Sequence, residues 1–150
     1  MDVGTVVITF LIDMVSKVFV HRYLPDGITK PVINGSLCLK KTRNYGFSGN
    51  LLDEHSEAVK SISLAVIIFS FFYAVFELRN APKHIRRAFS MMLGGGIANL
   101  ADRYKNGYVT DFICFKKVRG IIFNLADVFI LCGAGLMAII SISKYNKRLD

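Results

Sequence analysis

The chain has 150 residues, 53% of them hydrophobic, and 19 Lys and Arg against 11 Asp and Glu give a net charge of +8. That length holds one domain, and the apolar content together with a mean hydropathy of +0.43 points to a membrane protein rather than an average soluble one. Lys and Arg interrupt hydrophobic blocks instead of covering a polar face, so the charge reads as the positive flanks of membrane spans and not as a nucleic-acid surface. The three cysteines, Cys38, Cys114 and Cys132, form no C-x-x-C pair and leave an odd count, so neither a disulfide framework nor a zinc ribbon is expected and they read as small apolar residues.

The first predicted element is a membrane helix over residues 3–20, whose eighteen residues come near the ~30 Å of hydrocarbon to be crossed. No basic n-region or small-residue cleavage site marks it as a secretory signal, so it reads as a retained first span. Within it Asp13 and Lys17 stand four apart with the acid N-terminal, the better order for an ion pair on one helical face. The expected role is to anchor the helix end, with Lys17 snorkelling to the interface; a catalytic role for Asp13 is the other reading. Residues 21–60 turn polar. Pro25-Asp26-Gly27 and Asn34-Gly35 signal turns, and short β-prone pieces at Val32-Ile33 and Ser36 to Leu39 suggest a small extramembrane β subdomain.

A second span is predicted over residues 61–76, free of charge, with Phe69, Phe71, Phe72, Tyr73 and Phe76 as a lipid-facing or interfacial cluster. Residues 77–87 form a short loop with four Lys or Arg, cytoplasmic by the positive-inside rule. The third span, 88–101, is marginal by itself and carries Gly94, Gly95 and Gly96, which permit close approach by neighbouring helices. Asn99 and Arg103 share a face at its end, beside Asp102. The fourth span, 124–143, opens with Asn124 and Asp127 on one face and is followed by Lys144, Lys147 and Arg148. The predicted fold is therefore all-α and integral to the membrane: four transmembrane helices in a single polytopic domain over 1–150, an outward-facing β subdomain in the first outer loop, and a short helix or loop between spans three and four. Both termini are then cytoplasmic and residues 21–60 and 102–123 outside, although Lys116, Lys117 and Arg119 in the second outer segment do not help that assignment.

This topology lets Asp111 and Asp127 converge at the outer face. Ionisable groups against apolar spans are costly and mark a candidate site. Two carboxylates in a desolvated place share a proton and can act together as acid and base, the chemistry of aspartyl proteases. From spacing alone they can equally be helix-terminal groups, since an acid in the first turn complements the helix dipole. His21, His55 and His84 are scattered without zinc-site spacing, and no G-x-S-x-G, P-loop or dinucleotide fingerprint is present, so no metal or cofactor is expected.

Five short stretches in order complete the reading: Asp13-Met14-Val15-Ser16-Lys17, Asn44-Tyr45-Gly46-Phe47-Ser48, Gly94 through Asn99 to Arg103, Val109-Thr110-Asp111-Phe112-Ile113, and Phe123-Asn124-Leu125-Ala126-Asp127. With them the chain resembles, across essentially its whole length, the lipoprotein signal peptidase (signal peptidase II) family. The resemblance implies a four-helix membrane aspartyl endopeptidase of the bacterial inner membrane, with its site near the outer face. It implies cleavage before the lipid-modified cysteine of diacylglyceryl-prolipoproteins, by an enzyme acting as a monomer on substrates held in membrane lipid. It carries catalytic roles to Asp111 and Asp127, substrate-binding or supporting roles to Asn44, Gly46, Asn99, Arg103 and Asn124, and structural roles to Asp13, Lys17 and Asp102. Ala98 stands where that family usually has glycine, Phe47-Ser48 where it has two small residues, and Thr110 where valine is common, departures that bear on substrate preference. The rival readings are a small four-span proton relay or transporter, and a paralogue that binds lipoproteins without cutting them.

Overall fold

The structure, a computed structural model, describes residues 1–32, 36–47, 52–115 and 121–146. Helix α1, Val3–Tyr23, starts where the Asp2 carboxylate accepts the Thr5 N–H at 3.0 Å, and it ends before Leu24 and Pro25, the residue ahead of a proline being disfavoured in the α region. Strands β1, Thr29–Val32, and β2, Leu37–Asn44, follow. A 3-10 turn, Asp53–His55, leads into α2, Ser56–Phe76, five residues longer at its start than the predicted span. Helix α3, Lys83–Asn106, is stopped by Gly107, whose φ of 80° is the left-handed conformation that lets its N–H return to the Arg103 carbonyl. Strands β3, Val109–Phe115, and β4, Ile122–Phe123, precede α4, Leu125–Asn146.

The four strands form one antiparallel sheet in the order β1-β2-β3-β4. The sheet is thus not confined to the first outer segment, and among the described residues between spans three and four, where a short helix or loop was expected, the structure has the end of α3 followed by β3 and β4. Asp102 to Asn106 are residues a helix tolerates, so α3 runs on until Gly107, and the β-branched and aromatic stretch Val109 to Phe115 then takes the open edge of β2. A register shift between Leu39 and Thr42 separates two paired segments, one joining Leu37 to Leu39 with Ile113 to Phe115, the other joining Thr42 to Asn44 with Val109 to Asp111.

The cysteine expectation is corrected here: Cys38 and Cys114 face each other in register, with Cα atoms 5.0 Å apart, and form a cross-strand disulfide, while Cys132 is free and exposed. Seventy-six positions separate the pair, and only the addition of β3 to the sheet brings them together. The turn expected at Asn34-Gly35, together with Ile33, Ser48, Lys116, Lys117, Arg119, Lys147 and Arg148, lies outside the described residues.

Among the described residues three helical segments are long and apolar enough to cross a membrane, Val3–Tyr23, Asp53–Phe76 and Leu125–Ser143. Their outward side chains are apolar and exposed, Phe19, Phe69, Phe76, Leu131 and Ile139 each above 60%. Helix α3, the third expected span, is not among them. It packs against α1, α2 and α4, buries Ala88, Leu93, Gly94, Gly95 and Ala98, and turns Ser90, Asn99, Asp102 and Arg103 inward while Lys83, His84, Arg87 and Lys105 are exposed at its ends.

Candidate active site

The inner face of α3 and the first turn of α4 are tied to α1 by one buried ion cluster. Asp13 and Lys17 do pair, Nζ to Oδ2 at 2.7 Å, but Lys17 does not snorkel: it is 3% exposed and points into the bundle, 3.3 Å from Asp102 Oδ2, and donates to Asn99 Oδ1 at 3.0 Å. The other Asp13 oxygen accepts the Ala126 N–H at 2.8 Å and so caps the first turn of α4 from across the bundle. Asp102 accepts the Thr110 N–H at 2.7 Å and bonds Asn106, fixing the start of β3 relative to α3. Through these contacts Asp13, Lys17 and Asp102 tie α1, α3, β3 and α4 together beside the carboxylates.

Asp111 and Asp127 are brought onto one cavity of about 220 Å³, which Asn44, Asn99 and Arg103 also line. Asp111 is buried in β3; its Oδ2 accepts from Asn44 Nδ2 at 2.9 Å and its Oδ1 from Asn124 Nδ2 at 2.6 Å. Asn124, predicted within the fourth span, instead precedes α4 as its N-cap. Its Oδ1 accepts the Asp127 N–H at 2.9 Å while Asp127 Oδ2 accepts the Asn124 N–H at 3.1 Å, a reciprocal capping box that fixes the Asp127 rotamer. Asp127 Oδ1 accepts from Asn99 Nδ2 at 2.9 Å, and Asn99 Oδ1 accepts from Asn124 Nδ2 at 3.1 Å. The carboxylates are therefore joined through two amides, Asp111 to Asn124 to Asn99 to Asp127.

Burial and the neighbouring Asp127 charge push the Asp111 carboxyl up to about 7, against the Asn44 and Asn124 donors and the Lys17 charge, which pull it down. Arg103, also buried, donates from Nη2 to the Gly46 carbonyl at 2.7 Å and lies 5.9 Å from the Phe47 ring centroid; its Nε is buried without a hydrogen-bond partner among the described residues. The Gly46 N–H in turn donates to Asn44 Oδ1 at 3.0 Å, so Asn44 fastens both the Asp111 carboxylate and the bend after β2. All seven site residues expected from the sequence meet here. The apolar walls, Val66 and Ile67 of α2 with Ile122 and Ile130, were not anticipated, because nothing distinguishes an apolar side chain facing a cavity from one facing lipid. Among the described residues no three His, Cys, Asp or Glu side chains cluster as metal ligands would.

The buried Asp111 and half-buried Asp127, bridged by amides at one end of an apolar helical bundle, give a multi-pass membrane protein the arrangement an aspartic hydrolase needs. The family described as signal peptidase (SPase) II matches residues 5–143, and the chain belongs to it, which makes it an aspartyl endopeptidase of the bacterial membrane. It is similar to a lipoprotein signal peptidase of Clostridioides difficile, 30% identical over 85% of each chain, and to one of Fusobacterium nucleatum, 32% identical over 94% of this chain and 86% of that one. Two solved bacterial membrane enzymes, obtained by the in meso method at 2.3 and 1.9 Å resolution, share the fold, with TM-scores of 0.85 and 0.79. They are 23% and 24% identical, covering 97% and 92% of this chain and 89% and 90% of theirs.

Proposed function

We propose that Asp111 and Asp127 are the catalytic pair with which this peptidase cuts diacylglyceryl-modified prolipoproteins just before the lipidated cysteine. The observation that carries this reading is the amide bridge that places both carboxylates on one cavity. Below about pH 7 the pair holds one proton. The ionised carboxylate takes a proton from water as its oxygen attacks the scissile carbonyl, and the protonated partner donates to the carbonyl oxygen as negative charge develops there. Collapse of the tetrahedral species breaks the C–N bond, and the departing amine of the cysteine takes up a proton.

Arg103, anchored at the Gly46 carbonyl and open to the cavity, supplies donors for substrate backbone carbonyls, and Asn44 and Asn99 hold the two carboxylates against rotation. The apolar α2 wall suits the hydrophobic end of a signal peptide, and a substrate already inserted through its acyl chains reaches the site without leaving the bilayer. Helix α3, with 24 residues and so about 36 Å of length, serves as the fourth span, shielded by the other three. The sheet and the cavity face outward from the inner membrane, a placement supported by the disulfide, which persists on the oxidising side, and by Arg79 between α2 and α3 with Lys83, Arg86 and Arg87 at the start of α3, at the other end. The enzyme acts as a monomer on this reading, since both carboxylates and the amides that hold them come from one chain.

The test is cleavage of a diacylglyceryl-modified precursor by purified enzyme. Asp111→Asn and Asp127→Asn should each reduce the rate by about a thousandfold or more while the protein keeps its melting temperature within a few degrees. Near-normal cleavage by either variant overturns the assignment, and binding of the precursor without any cleavage by the unmodified chain would make it a non-cleaving relative.

A further inference from the structure

We propose that a second groove, on the α1 side of the bundle, holds an acyl chain of one anionic phospholipid, with the headgroup phosphate on Arg22 and Lys30. The groove has a volume of about 550 Å³ and shares no residue with the carboxylate cavity. Val15 and Phe19 of α1, Leu39 of β2, Phe112 of β3 and Leu125 of α4 form its walls. Ser16 is the one polar residue facing it, and its hydroxyl is already committed to the Asp13 carbonyl at 2.7 Å. Nothing in such a lining selects a polar ligand.

What identifies the occupant is the rim. From Phe19 outward the next ring is Tyr23, with centroids 4.4 Å apart, and the Arg22 guanidinium lies 5.6 Å from the Tyr23 centroid. Lys30 pairs in register with Leu39, so it leaves the sheet on the side of that groove residue, and its Nζ is 3.5 Å from the Tyr23 carbonyl. Arg22 and Lys30 are exposed and form no ion pair among the described residues, whereas Lys41 and Arg43 nearby in sequence are both committed to Asp26. Apolar groove, aromatic ring and free cations succeed one another over a short distance, the order in which acyl chain, interface and phosphate succeed one another in a lipid. A zwitterionic headgroup brings a positive group to the same two cations and gains less. A second membrane helix would leave both cations without a counter-charge.

The proposal is tested by native mass spectrometry of the detergent-purified full chain titrated with phosphatidylglycerol or with phosphatidylcholine of the same acyl chains. One phosphatidylglycerol per protein is expected to be retained at about tenfold lower lipid concentration than phosphatidylcholine, and Arg22→Gln with Lys30→Gln should remove that preference. Both side chains are exposed, so the double variant should fold, and an unchanged melting temperature checks that it does. Val15→Trp, which fills the groove from its lipid-facing side, should lower retention of both lipids. Equal retention of the two lipids by the unmodified chain overturns the proposal, as does a preference that survives the double substitution. Displacement of the bound lipid by a diacylglyceryl-modified precursor peptide also overturns it, since the groove would then take the substrate's own chains.

Discussion

Asn124 links the two carboxylates to the start of α4. Its amide caps α4, donates to Asp111 and donates to Asn99, so a single truncation takes one donor from Asp111 and loosens the Asn99 amide that holds Asp127. Asn124→Ala should destabilise the protein by about 1–2 kcal/mol through loss of the cap and lower the cleavage rate by about a hundredfold, read from thermal melting and from turnover of the lipidated precursor. The pH dependence follows from Asp111. Its folded value of about 7 lies above the usual carboxylate range, so its protonated form is the one the fold favours. The native state therefore loses stability as pH rises from the unfolded carboxylate value towards 7, and cleavage, which needs one proton on the pair, should fall as pH rises through about 7. Asn44→Ala removes a donor that favours the charged form, so it should move that falling limb to higher pH; a limb that stays in place or moves down would show that Asp111 does not set it. Polar residues stranded in apolar sequence marked Asn99, Asp111, Asn124 and Asp127 as a candidate cluster, whereas Asn44 and Gly46, in a polar loop, came only with the family resemblance. Lys17 was misread because a lone i, i+4 pair looks the same whether it faces lipid or protein, and only the packing of α1 on α3 supplies Asp102 and Asn99 as further partners.

Helix spacing is set by the glycines of α3. A Cβ on Gly94 would collide with Thr9 Oγ1 and lie 2.7 Å from the Val6 carbonyl of α1, and one on Gly95 would lie 2.6 Å from the Ala126 carbonyl of α4. Backbone oxygens cannot swing aside, so Gly94→Ala and Gly95→Ala must move whole helices, at a cost of about 1–3 kcal/mol each. Gly96 faces α2, where an added methyl meets Ile67 at an ordinary 3.7 Å, and Gly96→Ala should be neutral or slightly stabilising. Melting temperatures of the three variants in one detergent test the ordering. Gly95→Ala should also slow cleavage, because α4 carries Asp127; three equal melting temperatures would mean that the close approach is not needed. The triple glycine announced close packing in the sequence, though not which helix each residue meets. The sheet was half legible: the first outer segment showed its turns and β-prone pieces, but β3 is a strand because β2 offers it an edge, a pairing between positions far apart that no local pattern records.

At the scale of the whole molecule, apolar surface on α1, α2 and α4 encloses a helix that is itself polar at both ends, and the sheet closes the end where the carboxylates lie. Composition foretold a membrane protein, yet α3 is not apolar enough to be read as a span from its sequence, and only its packing against α1, α2 and α4 shows where it sits. The proposed orientation rests on two features at opposite ends, the basic residues from Arg79 into the start of α3 and the disulfide between β2 and β3. The disulfide offers the sharper test. In intact spheroplasts, a membrane-impermeant reductant followed by an impermeant maleimide should label Cys38 and Cys114 in a Cys132→Ser background, and omission of the reductant should abolish the labelling. Labelling only after permeabilisation would place the sheet in the cytoplasm and invert the topology. The bond closes a loop of 76 residues, so replacing both cysteines by serine should lower stability by about 2–4 kcal/mol. Asn44 and Asp111 sit on the two strands it joins, in the paired segment beyond the register shift, and their 2.9 Å contact depends on that pairing. The serine variant should therefore lose turnover at temperatures well below its own melting point, because the Asn44 and Asp111 contact fails before the helices separate. Full activity up to the melting point would show that the helix bundle alone holds the carboxylates in place.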